Sequence, residues 1–230
     1  MAAGRLRAIT RCVGADSSEK LKLAIKPLSA RFGAVASAVD LSLPMPKHTS
    51  AEFTALLRGV NVGSGNRVPM AEFRAMLEAL GFGGVRTLLN SGNAVFTSTA
   101  GSAQIHADRI RSELMACLGI DVPVIVKSAK EIVAIEAENP LAGLATNPSR
   151  LLVAFAPDAK ALEGLARIDE FTRASEKFHL GVHAAYLWCP KGISRSRAAE
   201  VLLGKKGRAA TTRNWATVLK IRALLSEDTR

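Results

Sequence analysis

The chain has 230 residues, 48% of them hydrophobic, which is too apolar for a disordered chain and enough for one large or two small cores. Its net charge of +11 is unevenly spread: residues 1–50 carry +5, residues 51–190 carry −1 and residues 191–225 carry +8. No run of about 18 apolar residues is present, so no transmembrane helix is expected, and three distant cysteines without a CxxC pair argue against a disulfide framework or structural zinc site.

Residues 1–50 are rich in Ala, Ser, Leu, Lys and Arg, with weak periodicity. They read as a basic, poorly ordered extension, with a marginal helix over Lys20 to Val39 and ordered patterning starting near Met45. FTALLRGV then reads as a buried strand. The segment Gly59 to Val68 holds three glycines and two asparagines and reads as a loop. Pro69 opens a helix, MAEFRAMLEALG, whose stripe is Met70, Phe73, Leu77 and Leu80, with Gly81 as its C-terminal cap. VRTLLN and NAVFTS form a hairpin about Ser91-Gly92. SAQIHADRIRSELMACLG is a second helix with the stripe Ile110, Leu114, Cys117 and Leu118, and VPVIVKS a fourth strand. The order βαββαβ is the ferredoxin-like one.

The order then recurs. AKEIVAIEAENP is a connecting helix, RLLVAFAP a strand, DAKALEGLARI a helix, KFHLGV and AAYLWCP a strand pair, and SRSRAAEVLLGKK a helix. GRAAT reads as a short closing strand, and Arg213 to Leu225 as a last helix with Trp215, Val218, Leu219 and Leu225 on one stripe. The expected fold class is α+β: two tandem ferredoxin-like lobes, residues 51–138 and 139–230, with a C-terminal helix.

Four separated segments carry a family signature in order: ALLRGVNVGSGNRVPMAEFRAMLEALGFGGVRTLLNSGNAVF, VPVIVKSAKEIVAIEAENP, GISRSRAAEVLL and ATTRNWATVLKI. Over about residues 53–225 the chain resembles the bacterial family called domain of unknown function 1697. The resemblance implies a two-lobed α+β bacterial protein, expected in the cytoplasm, and no established biochemical role. The chain departs from the family pattern at Ser64-Gly65, at Ser194 where a glycine is usual, and at Ala216 where an asparagine is usual. The last change removes a polar group.

The glycine loop lacks G-x-x-x-x-G-K-[ST] and is not a P-loop, and it lacks the placement of a dinucleotide fingerprint. Gly63 and Gly65 permit positive φ and exposed backbone N–H groups, an anion nest that Arg58, Asn61 and Asn66 can reach. The competing reading is a structural turn whose asparagines bond their own backbone. Two helix starts read as basic: Ser194-Arg195-Ser196-Arg197 and Thr211-Thr212-Arg213-Asn214-Trp215. A helix N-terminus already carries about +0.5 charge. Arginine there opposes local stability unless an anion binds. The alternative is an ordinary cap, Ser194 or Thr212, beside surface charge.

Enzyme signatures are thin. GISRS is not a nucleophile elbow, because its last residue is Ser196. His179 and His183 are four apart across a probable turn, which is weak as a metal pair. Cys189 would need a low pKa to be a nucleophile. No RNP1-type motif is present, and Phe96, Tyr186 and Trp188 read as core before base-stacking residues. The leading expectation is a pocket for a phosphate-bearing small molecule or nucleotide, built from Arg58, Asn61, Gly63, Gly65, Asn66, Ser91, Gly92, Asn93, Ser194, Arg195, Ser196, Thr212, Arg213 and Asn214. Alternatives are an enzyme acting on a small anion in the same pocket, and nonspecific nucleic-acid binding through the basic C-terminal block. No membrane partner is expected, and no cofactor or catalytic residue is indicated.

Overall fold

Two four-stranded antiparallel sheets and six α-helices make up the computed structural model, which describes residues 50–63 and 65–227. The extension, including the helix expected over Lys20 to Val39, lies outside the described residues apart from Ser50. The first sheet contains β1 (Ala51–Leu57), β2 (Gly83–Leu88), β3 (Asn93–Ser98) and β4 (Val124–Ser128), in the order β2-β3-β1-β4. The second contains β5 (Leu151–Phe155), β6 (Lys177–Leu180), β7 (Ala185–Trp188) and β8 (Thr211–Asn214), in the order β6-β7-β5-β8. In both sheets every pairing between neighbours is antiparallel.

The central strands explain the layering. Phe53, Ala55 and Leu57 of β1 face α1 (Met70–Ala79) and α2 (Ala103–Leu118), packing with Phe73, Leu77, Ile110 and Leu114. Leu56 faces the other way, into a core shared with Leu151, Val153 and Phe155 of β5. Between the sheets lie α3 (Ala129–Ala137) and α6 (Trp215–Glu227), contributing Ile132, Ile135, Trp215, Val218 and Ile221. On its far side β5 packs Leu152 and Ala154 against residues of α4 (Ala159–Glu163), the 3-10 segment Ala166–Phe171 and α5 (Arg197–Leu203). Both β1 and β5 are therefore covered on both faces, which is why their sequences read as nearly continuous apolar runs.

Local signals set most boundaries. Ser102 and Asp158 cap α2 and α4 by accepting from Ile105 N and Ala161 N. Ser128 and Glu131 form a reciprocal capping box at α3. Gly81 and Gly119 adopt positive φ just past α1 and α2. At the end of α3, the Glu138 carboxylate accepts from the backbone N–H groups of Val182, His183 and Ala184, from the Tyr186 hydroxyl and from the His183 ring. Burial pushes the Glu138 pKa up, but these hydrogen bonds outweigh it and hold the carboxyl below its usual range. His183 is thus a partner of Glu138 at the β6–β7 turn, and no cluster of three metal-ligating side chains occurs among the described residues.

Three sequence expectations need correction. GRAAT is not the closing strand. Thr211–Asn214 is, paired along β5, so Arg213 sits in a strand and α6 begins at Trp215. The caps are Ser196 for α5 and Asn214 for α6, in place of Ser194 and Thr212. On α6 the buried hydrophobic residues are Trp215, Val218, Ile221 and Leu225, whereas Leu219 is exposed, because the helix is wedged between two sheets and its inward face is set by both. Phe96, Tyr186 and Trp188 are buried in the cores. No helix among the described residues is long and apolar enough to cross a membrane.

One core residue is unusual. His106 is fully buried among Phe53, Phe82 and Phe96, and neither ring nitrogen has a hydrogen-bond partner. Burial first, and Arg109 second, push its pKa below the ordinary histidine range. The folded state then binds fewer protons than the unfolded chain, so stability falls as pH drops below the unfolded value of about 6.5. The slope is at most about 1.4 kcal/mol per pH unit and ends where the folded ring protonates. Chemical denaturation at pH 7.5 and 5.5 is expected to show a smaller acid loss for His106→Leu than for the parent chain; equal losses would contradict the assignment.

Candidate functional site

β1 ends where the two sheets come together, and its last residues lead into the glycine loop. A cavity of about 480 Å³ opens there, lined from the first sheet's side by Leu57, Arg58, Gly59, Val60, Val62 and Ser91. The second sheet's side contributes Leu203 at the end of α5, Thr211 to Asn214 of β8, and Thr217 in the first turn of α6.

The loop's shape follows from its asparagines and glycines. Gly59, Asn61, Gly63 and Asn66 all have positive φ, the region that glycine and asparagine tolerate best. Asn61 closes the loop on itself: its Nδ2 donates to Val68 O and Asn90 O, and its Oδ1 accepts from Val68 N. Asn61 therefore ties the loop to the β2–β3 hairpin, as the structural-turn reading requires. Gly63, Gly65 and Asn66 are exposed and do not line the cavity, but Gly59, Val60 and Val62 do. Gly92 has φ +69, and a Cβ there would lie 2.6 Å from Leu57 Cβ and Val60 Cγ2. Only glycine lets the hairpin approach β1 this closely.

Arg213 is the centre of the cavity wall. It is only 8% exposed, and its guanidinium reaches four acceptors on the first sheet's side and two on its own strand. Its Nε donates to Asn93 Oδ1, its Nη1 to Thr211 Oγ1 and Thr212 O, and its Nη2 to Leu57 O at 2.7 Å and Ser91 O at 2.9 Å, with Gly92 O at 3.4 Å. Asn93 is itself buried and is held by Leu88 O and Ser91 Oγ. The fork expected to grip an anion is thus fully engaged with the protein. No carboxylate pairs with it among the described residues, and burial pushes its pKa down to about 10.

Arg58 has a parallel role. Its Nη1 donates to Gly207 O and Ala210 O, and its Nη2 to Leu203 O and Gly204 O, each at 3.2 Å. These include carbonyls at the C-terminal end of α5, which lack intrahelical partners and carry partial negative charge. Burial, and then the neighbouring Arg208, push its pKa down. It too has no carboxylate partner among the described residues.

The other proposed residues divide cleanly. Ser91, Thr212 and Asn214 line the cavity. Among the described residues, the Thr212 hydroxyl and Asn214 Nδ2 donate to no protein acceptor, and the Ser91 hydroxyl only accepts, from Asn93 Nδ2. Ser194, Arg195 and Ser196 do not line it. Arg195 is exposed, and Ser196 is buried and accepts from Ala199 N. Cys189 is a buried free thiol, its pKa pushed up by burial against a lowering hydrogen bond with Ser196, contrary to what a nucleophile needs. Within the basic block Arg213 is buried, Arg197 pairs with Glu200 and Arg222 with Glu136, while Lys191, Arg195, Lys205, Lys206, Arg208 and Lys220 are exposed. Sequence reasoning missed Leu57, Val60, Val62, Leu203 and Thr217. Leu57, Val60 and Val62 adjoin Arg58 and Asn61 in the sequence, while Leu203 and Thr217 gave no such signal.

The model of the family described as "Protein of unknown function (DUF1697)" matches residues 51–186, more than half of the chain. Among solved structures, the conserved bacterial protein SP0830 from Streptococcus pneumoniae is similar at 25% identity, with a TM-score of 0.65. That match covers 76% of this chain and 99% of the Streptococcus chain. No curated protein matches the chain.

Removing the Arg213 guanidinium takes the donor from Asn93 Oδ1 and Ser91 O, each loss costing about 1–3 kcal/mol, while Leu57 O and Gly92 O keep Thr211 Oγ1 and Leu57 N as donors. Arg213→Met is therefore expected to lose about 3–5 kcal/mol in chemical denaturation. Arg213→Lys should also lose stability, since an ammonium cannot reproduce a planar five-donor fork. A loss below about 1 kcal/mol in both variants would contradict the clamp.

Proposed function

The chain belongs to the DUF1697 family, and we propose that it binds a small anionic ligand, phosphate-bearing in the leading case, in the cavity between its two sheets. The observation that carries this reading is a pair of guanidiniums, Arg58 and Arg213, in the cavity wall with no carboxylate partner among the described residues. Both pKa values are depressed by burial, so the wall holds charge whose desolvation is not offset by an opposite charge. An anion in the cavity supplies that opposite charge. Because both forks are engaged with protein acceptors, the ligand's own hydrogen bonds come from Ser91, Thr212 and Asn214, beside the N-terminus of α6, and the guanidiniums act through their field. Arg58 and Arg213, expected from the sequence to build the pocket, thus serve it without contacting the ligand directly.

Among the described residues, the lining contains no carboxylate, histidine, cysteine, lysine or tyrosine. Without a group to move a proton at neutral pH, the site favours binding over acid–base chemistry. The sheet orders and connections support two ferredoxin-like lobes, residues 51–138 and 139–230, with the cavity at their seam and α6 appended. A bacterial cytoplasmic setting agrees with the bacterial source of the similar structure.

Asn214→Asp tests the reading. Aspartate caps helices about as well as asparagine, so folding stability should stay within about 1 kcal/mol of the parent. The new carboxylate opposes any anion in the cavity. Calorimetric titration with inorganic phosphate and pyrophosphate at low salt is expected to show binding to the parent chain and at least tenfold weaker binding to the variant. Absence of binding to the parent, or equal binding by a folded variant, would overturn the proposal.

A further inference from the structure

The cavity lining carries two kinds of group. Ser91, Thr212 and Asn214 and the two guanidiniums form one. Leu57, Val60, Val62 and Leu203 form the other, and all four are aliphatic. No aromatic side chain lines the cavity among the described residues. Base-recognising sites stack the nucleobase on aromatic or guanidinium planes and read its edge. The aromatics Phe96, Tyr186 and Trp215 are buried in the cores, and both guanidiniums are engaged with acceptors.

Two aliphatic residues of the lining are also left in solvent. Val62 is 73% exposed and Leu203 is 48% exposed, from opposite sides of the seam. Val62 stands on a loop that positive-φ residues hold in a tight turn, so its outward position is fixed by the backbone. Apolar surface held against a cavity is favourably covered by an apolar part of a ligand. A bare inorganic anion would use only the polar groups.

Resting on the anion-site reading above, we infer that the ligand is a small amphiphilic anion: a phosphomonoester or carboxylate head on an aliphatic body, and not a nucleotide. The head lies against Thr212 and Asn214 at the start of α6. The body runs along Val60 and reaches Val62 and Leu203.

Titration calorimetry on the full chain tests this with four anions in two pairs, n-hexyl phosphate against inorganic phosphate and hexanoate against acetate, with adenosine monophosphate as the aromatic arm. At least a tenfold gain from the hexyl body is expected in one pair or both, and the pair showing it identifies the head. Adenosine monophosphate is expected to bind no more tightly than inorganic phosphate. Val62→Asn and Leu203→Asn replace exposed side chains and should each cut the hexyl gain at least threefold, leaving inorganic phosphate unchanged. Equal binding within both pairs, tighter binding of adenosine monophosphate than of hexyl phosphate, or a hexyl gain that survives both substitutions would overturn the inference while leaving the anion site standing. No binding of any of the five would remove the anion site, and this inference with it.

Discussion

The guanidinium of Arg213 is the constraint on which the rest of the site depends. It sits in a strand of the second sheet and donates to Leu57, Ser91, Asn93 and Gly92 of the first. One planar cation therefore satisfies the carbonyls at the end of β1 and at the tip of the β2–β3 hairpin. Arg58 reciprocates from the first sheet's side, holding the carbonyls that end α5 and those of the segment after it. Gly207 allows that segment to fold back, since a Cβ there would fall 1.8 Å from Leu202 O. The two arginines cross the seam in opposite directions, and the cavity is the space left beside them.

Hydrophobic packing makes this polar seam possible. Leu56, Val95 and Ile125 of the first sheet share one core with Leu151, Val153, Phe155 and Tyr186 of the second, with α3 and α6 between. Such packing supplies the bulk of the free energy but has little direction. The Arg213 fork, the Arg58 fork and the Glu138 carboxylate at the β6–β7 turn supply direction at three places on the seam. A charge buried among carbonyls is tolerated because its donors are satisfied. The guanidinium has no carboxylate partner among the described residues, which is the ground for the proposed preference for anions.

Much of the fold was legible in the sequence because it rests on local signals. Pro69 and Gly81 bracket α1, Ser102 and Gly119 bracket α2, and Ser128 with Glu131 opens α3. The hairpin at Ser91-Gly92 is likewise local. Where reading failed, the deciding partners were distant in sequence. Thr211–Asn214 is a strand because β5 lies alongside it, and nothing in TTRNW distinguishes that from a helix start. Arg213 was singled out, but apart from its own strand neighbours its acceptors lie at least 120 residues upstream, so its engagement could not be read. The choice of Ile221 over Leu219 for the interior of α6 needed both sheets in place. The aliphatic lining of the cavity was invisible for the same reason: Val62 and Leu203 come from opposite sides of the seam.

The central claim is that the cavity beside Arg213 is a place where an anion rests. Crystals soaked in bromide test it most directly, because the anomalous signal locates a monatomic anion without regard to its chemistry. The account predicts a bromide peak inside the cavity, within reach of Thr212 and Asn214. Peaks confined to exposed Lys205, Lys206 and Arg208, with none in the cavity, would contradict it.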